Sequence, residues 1–209
     1  MRDNAAMTER ARQRSPLAMT VLAFLAEAPM HAYRMHELIK QRGKDSVVNV
    51  AQRNSVYQTI ARLLRTELIR VQQTLQDEGR PERVVYEITE EGSQTLSRWL
   101  KDMLAEPGNE FPDFPAALAF LPVLAPKDVA RQLAQRLATL ETRLADAQAG
   151  VKQAMDNGLP RLFLIEEDYK ITMIRAELAW VRKLVAELES KELSWNAQWL
   201  RKVAAELEP

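Results

Sequence analysis

Between Leu68 and Thr89 the apolar pattern of this 209-residue chain changes its period. The segments "LIRVQQTLQ" and "RVVYEIT" alternate and are rich in β-branched residues, the pattern of half-buried strands. The polar turn "DEGRPE" separates them. On both sides the apolar residues instead recur every three or four positions, the spacing of a helix face. A chain with this order must pack three helices, a two-stranded hairpin and a fourth helix into one small unit.

The flanking helices have legible ends. Ser15-Pro16 places a side-chain oxygen at an N-cap and proline at the first helical position. Leu17, Val21, Phe24, Leu25 and Ala28 follow at helical spacing until Pro29. A second helix is predicted from about His31 to Gly43, with Ala32, Met35, Leu38 and Ile39 as its apolar face. A third spans roughly residues 50–66, with Val56, Ile60, Leu63 and Leu64 buried. Thr89 is placed to cap the fourth, with Glu90 and Glu91 at its positive end.

The third helix presents amide, hydroxyl and guanidinium groups and no carboxylate until Glu67. Such groups read base edges and hold phosphates. Gln58, Thr59 and Arg62 are the expected base or near-base contacts, with Asn54 and Ser55 at the helix start. Arg53, Tyr57, Arg65, Arg80 and Arg83 are the expected phosphate contacts, Tyr57 being open to a core role instead. Net charge is zero over the whole chain, yet residues 34–83 hold ten Lys+Arg against six Asp+Glu, net +4. Binding footprints are local, so a basic patch on a neutral chain suffices. The order helix, helix, helix, hairpin, helix is that of a winged helix-turn-helix, whose third helix enters the major groove beside the wing.

Three stretches resemble, in order and spacing, the PadR family of bacterial transcriptional regulators: "LAFLAEAPMHAYRMHELI", "NSVYQTIARLLRTELI" and "GRPERVVYEITEEG". The family pattern of a Gly-Arg-Pro wing, a strand tyrosine and Thr-x-x-Gly falls on Gly79, Arg80, Pro81, Tyr86, Thr89 and Gly92. Its helix tyrosines fall on Tyr33 and Tyr57. Ala32, Asn54 and Glu67 stand where the pattern usually has glycine. Asn tolerates left-handed backbone and Glu does so less readily, so the turn at Glu67 is where pattern and sequence pull apart. The rest of the chain is similar to the long all-helical tail of one PadR subgroup. The resemblance implies a homodimer acting as a repressor at a two-fold DNA operator, an effector that releases it, no cofactor and no catalytic residues.

The second half is legible on its own as helices. Val129, Leu133, Leu137, Leu140, Leu144, Ala147, Val151 and Met155 make a coiled-coil-like seam on a helix from Pro126 to about Asn157. The next helix, Pro160 to about Ser190, has two apolar stripes. One contains Leu162, Ile165, Tyr169, Met173, Ala176, Trp180, Leu184 and Leu188; the other contains Leu164, Ile171, Ile174, Leu178, Val181 and Val185. A helix apolar on two sides must be covered on two sides, so Leu133, Leu137, Leu140, Leu144, Tyr169, Met173, Trp180, Leu184 and Leu188 are assigned to dimerisation, with a monomeric bundle as the alternative. Ser194 is placed to cap a last helix. Trp99, Met103, Met173, Trp180, Trp195 and Trp199 suit the walls of a pocket for a small aromatic or hydrophobic effector, and equally suit core or interface.

The expectation is therefore a mainly α protein with a small β-hairpin wing. It has a polar arm (1–16), a winged helix-turn-helix domain (17–106) and a helical dimerisation domain (107–209). Cysteine is absent, which excludes disulfides, thiolate chemistry and zinc-cysteine sites. His31 and His36 lack a shared face and carboxylate partners, and neither a P-loop nor GxGxxG occurs, so no enzyme site is expected. The longest apolar run, residues 17–28, is too short to span a membrane, and a cytoplasmic location follows. The rival reading is a winged-helix interaction module without DNA binding.

Overall fold

The computed structural model describes residues 14–44, 48, 54–75, 83–108 and 112–207. The chain divides into two compact units, residues 1–109 and 110–209.

The first unit begins with α1 (Pro16–Glu27), whose N-cap is Ser15: its Oγ accepts from the Ala18 N–H at 3.1 Å. A two-residue strand, β1 (Met30–His31), leads into α2 (Ala32–Gln41). His31 caps α2, its Nδ1 accepting from the Arg34 N–H at 3.0 Å. Then follow α3 (Asn54–Arg65), β2 (Ile69–Leu75), β3 (Arg83–Ile88) and α4 (Glu90–Ala105). The sheet has three antiparallel strands in the order β1-β3-β2. The predicted hairpin is thus extended by a strand the sequence reading lacked: Met30 and His31 pair with Tyr86 and Val85. Two residues are too few for period-2 alternation to register. Between Val71 and Gln73 the β2–β3 register shifts by a bulge.

The core of this unit gathers Val21, Leu22, Leu25 from α1, Met35 and Ile39 from α2, Val56, Ile60 and Leu63 from α3, and Trp99 from α4. Each fully buried aliphatic contributes about 1.5–3 kcal/mol. The end of α3 is a Schellman turn: the Leu68 N–H donates to Leu63 O at 3.1 Å and the Glu67 N–H to Leu64 O at 3.0 Å. Glu67 takes the left-handed conformation that turn needs, with φ of 55°. Its carbonyl accepts from Thr89 Oγ1 at 2.8 Å, and the same hydroxyl accepts the Gly92 N–H at 3.0 Å as the N-cap of α4. Gly92 is required by space, since a Cβ there would lie 2.0 Å from Leu68 O. One joint therefore fixes the end of α3 against the start of α4.

The second unit contains α5 (Asp113–Ala119), a 3-10 turn (Leu121–Val123), α6 (Pro126–Asp156), a second 3-10 turn (Arg161–Leu164), α7 (Ile165–Glu189) and α8 (Ala197–Leu207). The predicted helix from Pro160 is therefore a 3-10 turn followed by α7. Asn196, rather than Ser194, caps α8: its Oδ1 accepts from the Trp199 N–H at 2.9 Å. Val129 and Leu133 of α6 pack with Val181, Leu184, Val185 and Leu188 of α7. Arg136–Glu177 and Arg182–Glu141 ion pairs cross the same seam, the latter at 2.6 Å. Among the described residues, no helix is long and apolar enough to cross a membrane.

Candidate functional site

The outer face of α3 is set by subtraction. Val56, Ile60 and Leu63 point into the core, and Thr59 lies among them at 7% exposure. Thr59 is a correction to the sequence reading: on a helix it falls on the flank of the apolar stripe, beside Leu63 and one turn from Val56. Gln58, Ala61 and Arg65 are exposed, with Tyr57 beside them at 55% exposure. Tyr57 is thus a surface residue rather than a core one. Ala61 was not singled out by the sequence. Having no long side chain, it leaves the middle of this face able to approach a surface closely.

Arg62 is half-buried, and its Nη2 donates to Ser15 Oγ at 3.1 Å. In this structure it ties α3 to the start of α1 instead of projecting with Gln58. Ser15 was read only as a cap, and the pairing spans residues too distant in sequence for spacing to signal. Ser55 is half-buried at the helix start. Asn54 begins α3. Arg53 and Arg80, with Gly79 and Pro81 of the wing tip, lie outside the described residues.

Arg83 opens β3 and is exposed. It lines an open groove of about 540 Å³ with His31, Tyr33, Arg34 and Glu37 from β1–α2, Tyr57 from α3, and Val84 and Tyr86 from β3. The sheet register carries Tyr86 opposite Met30, which brings β3 to the start of α2. Burial pushes the Tyr86 phenol above the ordinary tyrosine pKa, and the nearby Tyr57 phenol adds to the rise. Tyr33 is 56% exposed and its ring lies 6.3 Å from that of His31. Tyr33 and Arg34 were absent from the predicted contacts: Tyr33 was named only as a tyrosine of the family pattern, and α2 was otherwise read for its apolar face.

In the second unit the two stripes of α7 have different fates. Leu164, Ile171, Leu178, Val181 and Val185 are buried, and Ile174 is half-buried. From the other stripe, Leu162, Ile165, Tyr169, Met173 and Trp180 are exposed, Tyr169 at 68% and Trp180 at 48%. Leu133 and Leu140 of α6, and Leu184 and Leu188 of α7, assigned to dimerisation, are already buried within the single chain; Leu137 and Leu144 are half-buried. The i,i+3/i+4 seam satisfied itself on the neighbouring helix of the same chain.

The residues assigned to an effector pocket belong to both units, Trp99 and Met103 to the first and Met173, Trp180, Trp195 and Trp199 to the second. Trp99 is part of the first unit's core. Met103 is on the exposed side of α4. Trp180 meets Phe114 edge-on at 6.2 Å, and the Arg136 guanidinium stacks over the Phe114 ring at 3.6 Å from its centroid. Trp195 donates its indole N–H to Leu124 O at 2.9 Å, and Trp199 is exposed.

A three-helix core, a three-stranded sheet with a hairpin wing and an exposed third helix free of carboxylates define a winged helix-turn-helix protein, here followed by a helical unit. Residues 21–98 match the model of the transcriptional regulator PadR-like family. No curated protein matches the chain. Solved structures with the same fold include Bacillus subtilis PadR in complex with operator DNA, at 17% identity and TM-score 0.69, covering 83% of this chain and 99% of that one. Bacillus subtilis PadR in complex with p-coumaric acid aligns at 16% identity and TM-score 0.68, covering 83% and 98%. The Vibrio cholerae virulence activator AphA aligns at 19% identity and TM-score 0.65, covering 84% and 99%.

Proposed function

We propose that this chain is a sequence-specific DNA-binding transcriptional regulator that works as a homodimer. The observation that carries the reading is the exposed face of α3. Gln58, Ala61 and Arg65 stand clear of the core, flanked by Tyr57 and by Arg83 of the wing strand, with no acidic side chain on the helix. An amide supplies a bidentate pair for a base edge and the guanidinium groups neutralise phosphates. Gln58 is the base-reading residue, with Asn54 and Ser55 at the helix start. Arg53, Tyr57, Arg65, Arg80 and Arg83 hold the backbone. The burial of Thr59 and the tie of Arg62 to Ser15 support leaving those two out of base reading.

The dimer uses the uncovered stripe of α7, centred on Tyr169, Met173 and Trp180. A two-fold axis would set two α3 helices about 34 Å apart, one turn of duplex. Operator occupancy then blocks transcription, and an aromatic effector lowers it. The complex of Bacillus subtilis PadR with p-coumaric acid supports an effector of that chemistry. Met173, Trp180, Trp195 and Trp199 remain its candidate apolar and aromatic walls in the second unit.

The test is a titration of the full chain against duplex from its own promoter and against random duplex, at about 50 and about 200 mM salt. Tight promoter binding that weakens steeply with salt is expected. Absence of binding at the lower salt overturns the reading.

A further inference from the structure

A groove of about 290 Å³ runs along the contact of α6 and α7. Glu141, Leu144, Ala145 and Gln148 line it from α6, and Arg175, Leu178 and Arg182 from α7. We propose that this groove binds a medium-chain aliphatic carboxylate, with the acid group on Arg175 and the chain over Ala145 and Leu178. The site is separate from the base-reading face and from the stripe that carries Trp180, and it does not depend on DNA binding.

The start of α6 packs on the end of α7, so the helices run antiparallel and the groove has two unlike ends. At one end Arg182 Nη2 donates to Glu141 Oε1 at 2.6 Å, which neutralises that guanidinium. At the other stand Arg175 and Gln148. Among the described residues, no hydrogen bond or ion pair holds Arg175. Its own helix offers no carboxylate one turn away: Ile171, Thr172, Leu178 and Ala179 occupy those positions. A guanidinium in this state presents the fork that a carboxylate fits with two hydrogen bonds. Between the ends the floor is apolar, with Leu178 buried and Leu144 half-buried. Ala145 has no side chain beyond its methyl, so the groove dips there. None of the described residues that line it is aromatic, which favours an aliphatic chain over a flat ring. Arg175 and Arg182 stand two turns apart, roughly 10 Å along the axis, the reach of a medium-length alkyl chain. Each follows Met173 or Trp180 by two residues, about 200° around the helix. The groove therefore stays open when a partner covers the opposite stripe.

The experiment is a calorimetric titration of the full chain with octanoate and with octanamide, the same chain without the charge. Octanoate should bind roughly tenfold tighter or more, the effect of one charge-assisted pair. Arg175→Gln should reduce octanoate to the affinity of octanamide. Ala145→Leu fills the dip from an exposed helix position. It should abolish binding of both compounds and leave helix content, read by circular dichroism, unchanged. Glu141→Gln removes the carboxylate from the groove and frees Arg182, so it should tighten octanoate. A purely structural ion pair gives no such gain. Lys183→Gln removes an exposed charge of the same helix outside the groove and should change nothing. Equal affinity for octanoate and octanamide overturns the inference, as do equal losses in Arg175→Gln and Lys183→Gln. So does octanoate binding that Trp180→Phe abolishes and Arg175→Gln leaves intact, which assigns the acid to the tryptophan face. A parent that binds no octanoate at millimolar concentrations overturns it too. None of these outcomes bears on the DNA-binding reading, which the duplex titration tests separately.

Discussion

At Glu67 a side chain occupies a left-handed turn that glycine would adopt without steric cost. Glu67→Gly should therefore stabilise the chain by about 1 kcal/mol, relief of backbone strain exceeding the added unfolded-state entropy. A urea titration that shows lost stability would contradict this. Gly92→Ala works in the opposite direction. The new methyl would meet Leu68 O, and overpacking against backbone costs about 1–3 kcal/mol or more. Gln58 and Thr59 are neighbours with separable roles. Gln58→Ala should cost about 1–3 kcal/mol on promoter duplex and much less on random duplex. Thr59→Ala should instead lower the unfolding midpoint and leave base preference intact. Equal losses on both duplexes for Gln58→Ala would remove its assignment. Sequence composition marked both residues as polar and suitable; only the helical phase relative to Val56 and Ile60 separates them.

At the scale of elements, α7 is the clearest case. Its two apolar stripes were legible from spacing, and so was the need for two covers. Which stripe meets α6 was not, since both satisfy the same periodicity. The structure gives Ile171, Leu178, Val181 and Val185 to the chain's own core and leaves Tyr169, Met173 and Trp180 uncovered. Met173→Glu should thus convert a dimer to monomers with helix content retained, read by light scattering and circular dichroism. Val181→Asp should unfold the second unit, because a charge buried without a partner costs several kcal/mol, on the order of 3–5. A Met173→Glu protein that stays dimeric would place the interface elsewhere. At the other end of α1, Arg42 chelates Glu27 at 2.6 and 2.8 Å. Hydrogen bonding to Arg42 holds the Glu27 carboxyl below its ordinary pKa. That pair contributes above the unfolded carboxylate range and is lost as pH falls through the lowered value. Both groups are half-exposed, so the effect is small.

For the whole molecule, zero net charge carries no information about partners, because the two units divide it. Residues 1–106 hold 16 Lys+Arg against 14 Asp+Glu, and residues 107–209 hold 13 against 15. Salt dependence of DNA binding should therefore be set by the first unit. Neutral substitutions of exposed basic residues in the second, such as Lys183→Gln, should leave the slope unchanged.

The order of elements, their apolar faces, the Thr89 cap and the carboxylate-free third helix follow from the sequence by itself. Each depends on residues a few positions apart, and local periodicity records such relations. The third strand at Met30–His31, the tie between Arg62 and Ser15, the groove that gathers Tyr33, Tyr57, Tyr86 and Arg83, and the uncovered stripe of α7 were decided only by tertiary structure. Each joins residues from separate elements, and which of several equivalent faces meets which is a matter of packing rather than of spacing.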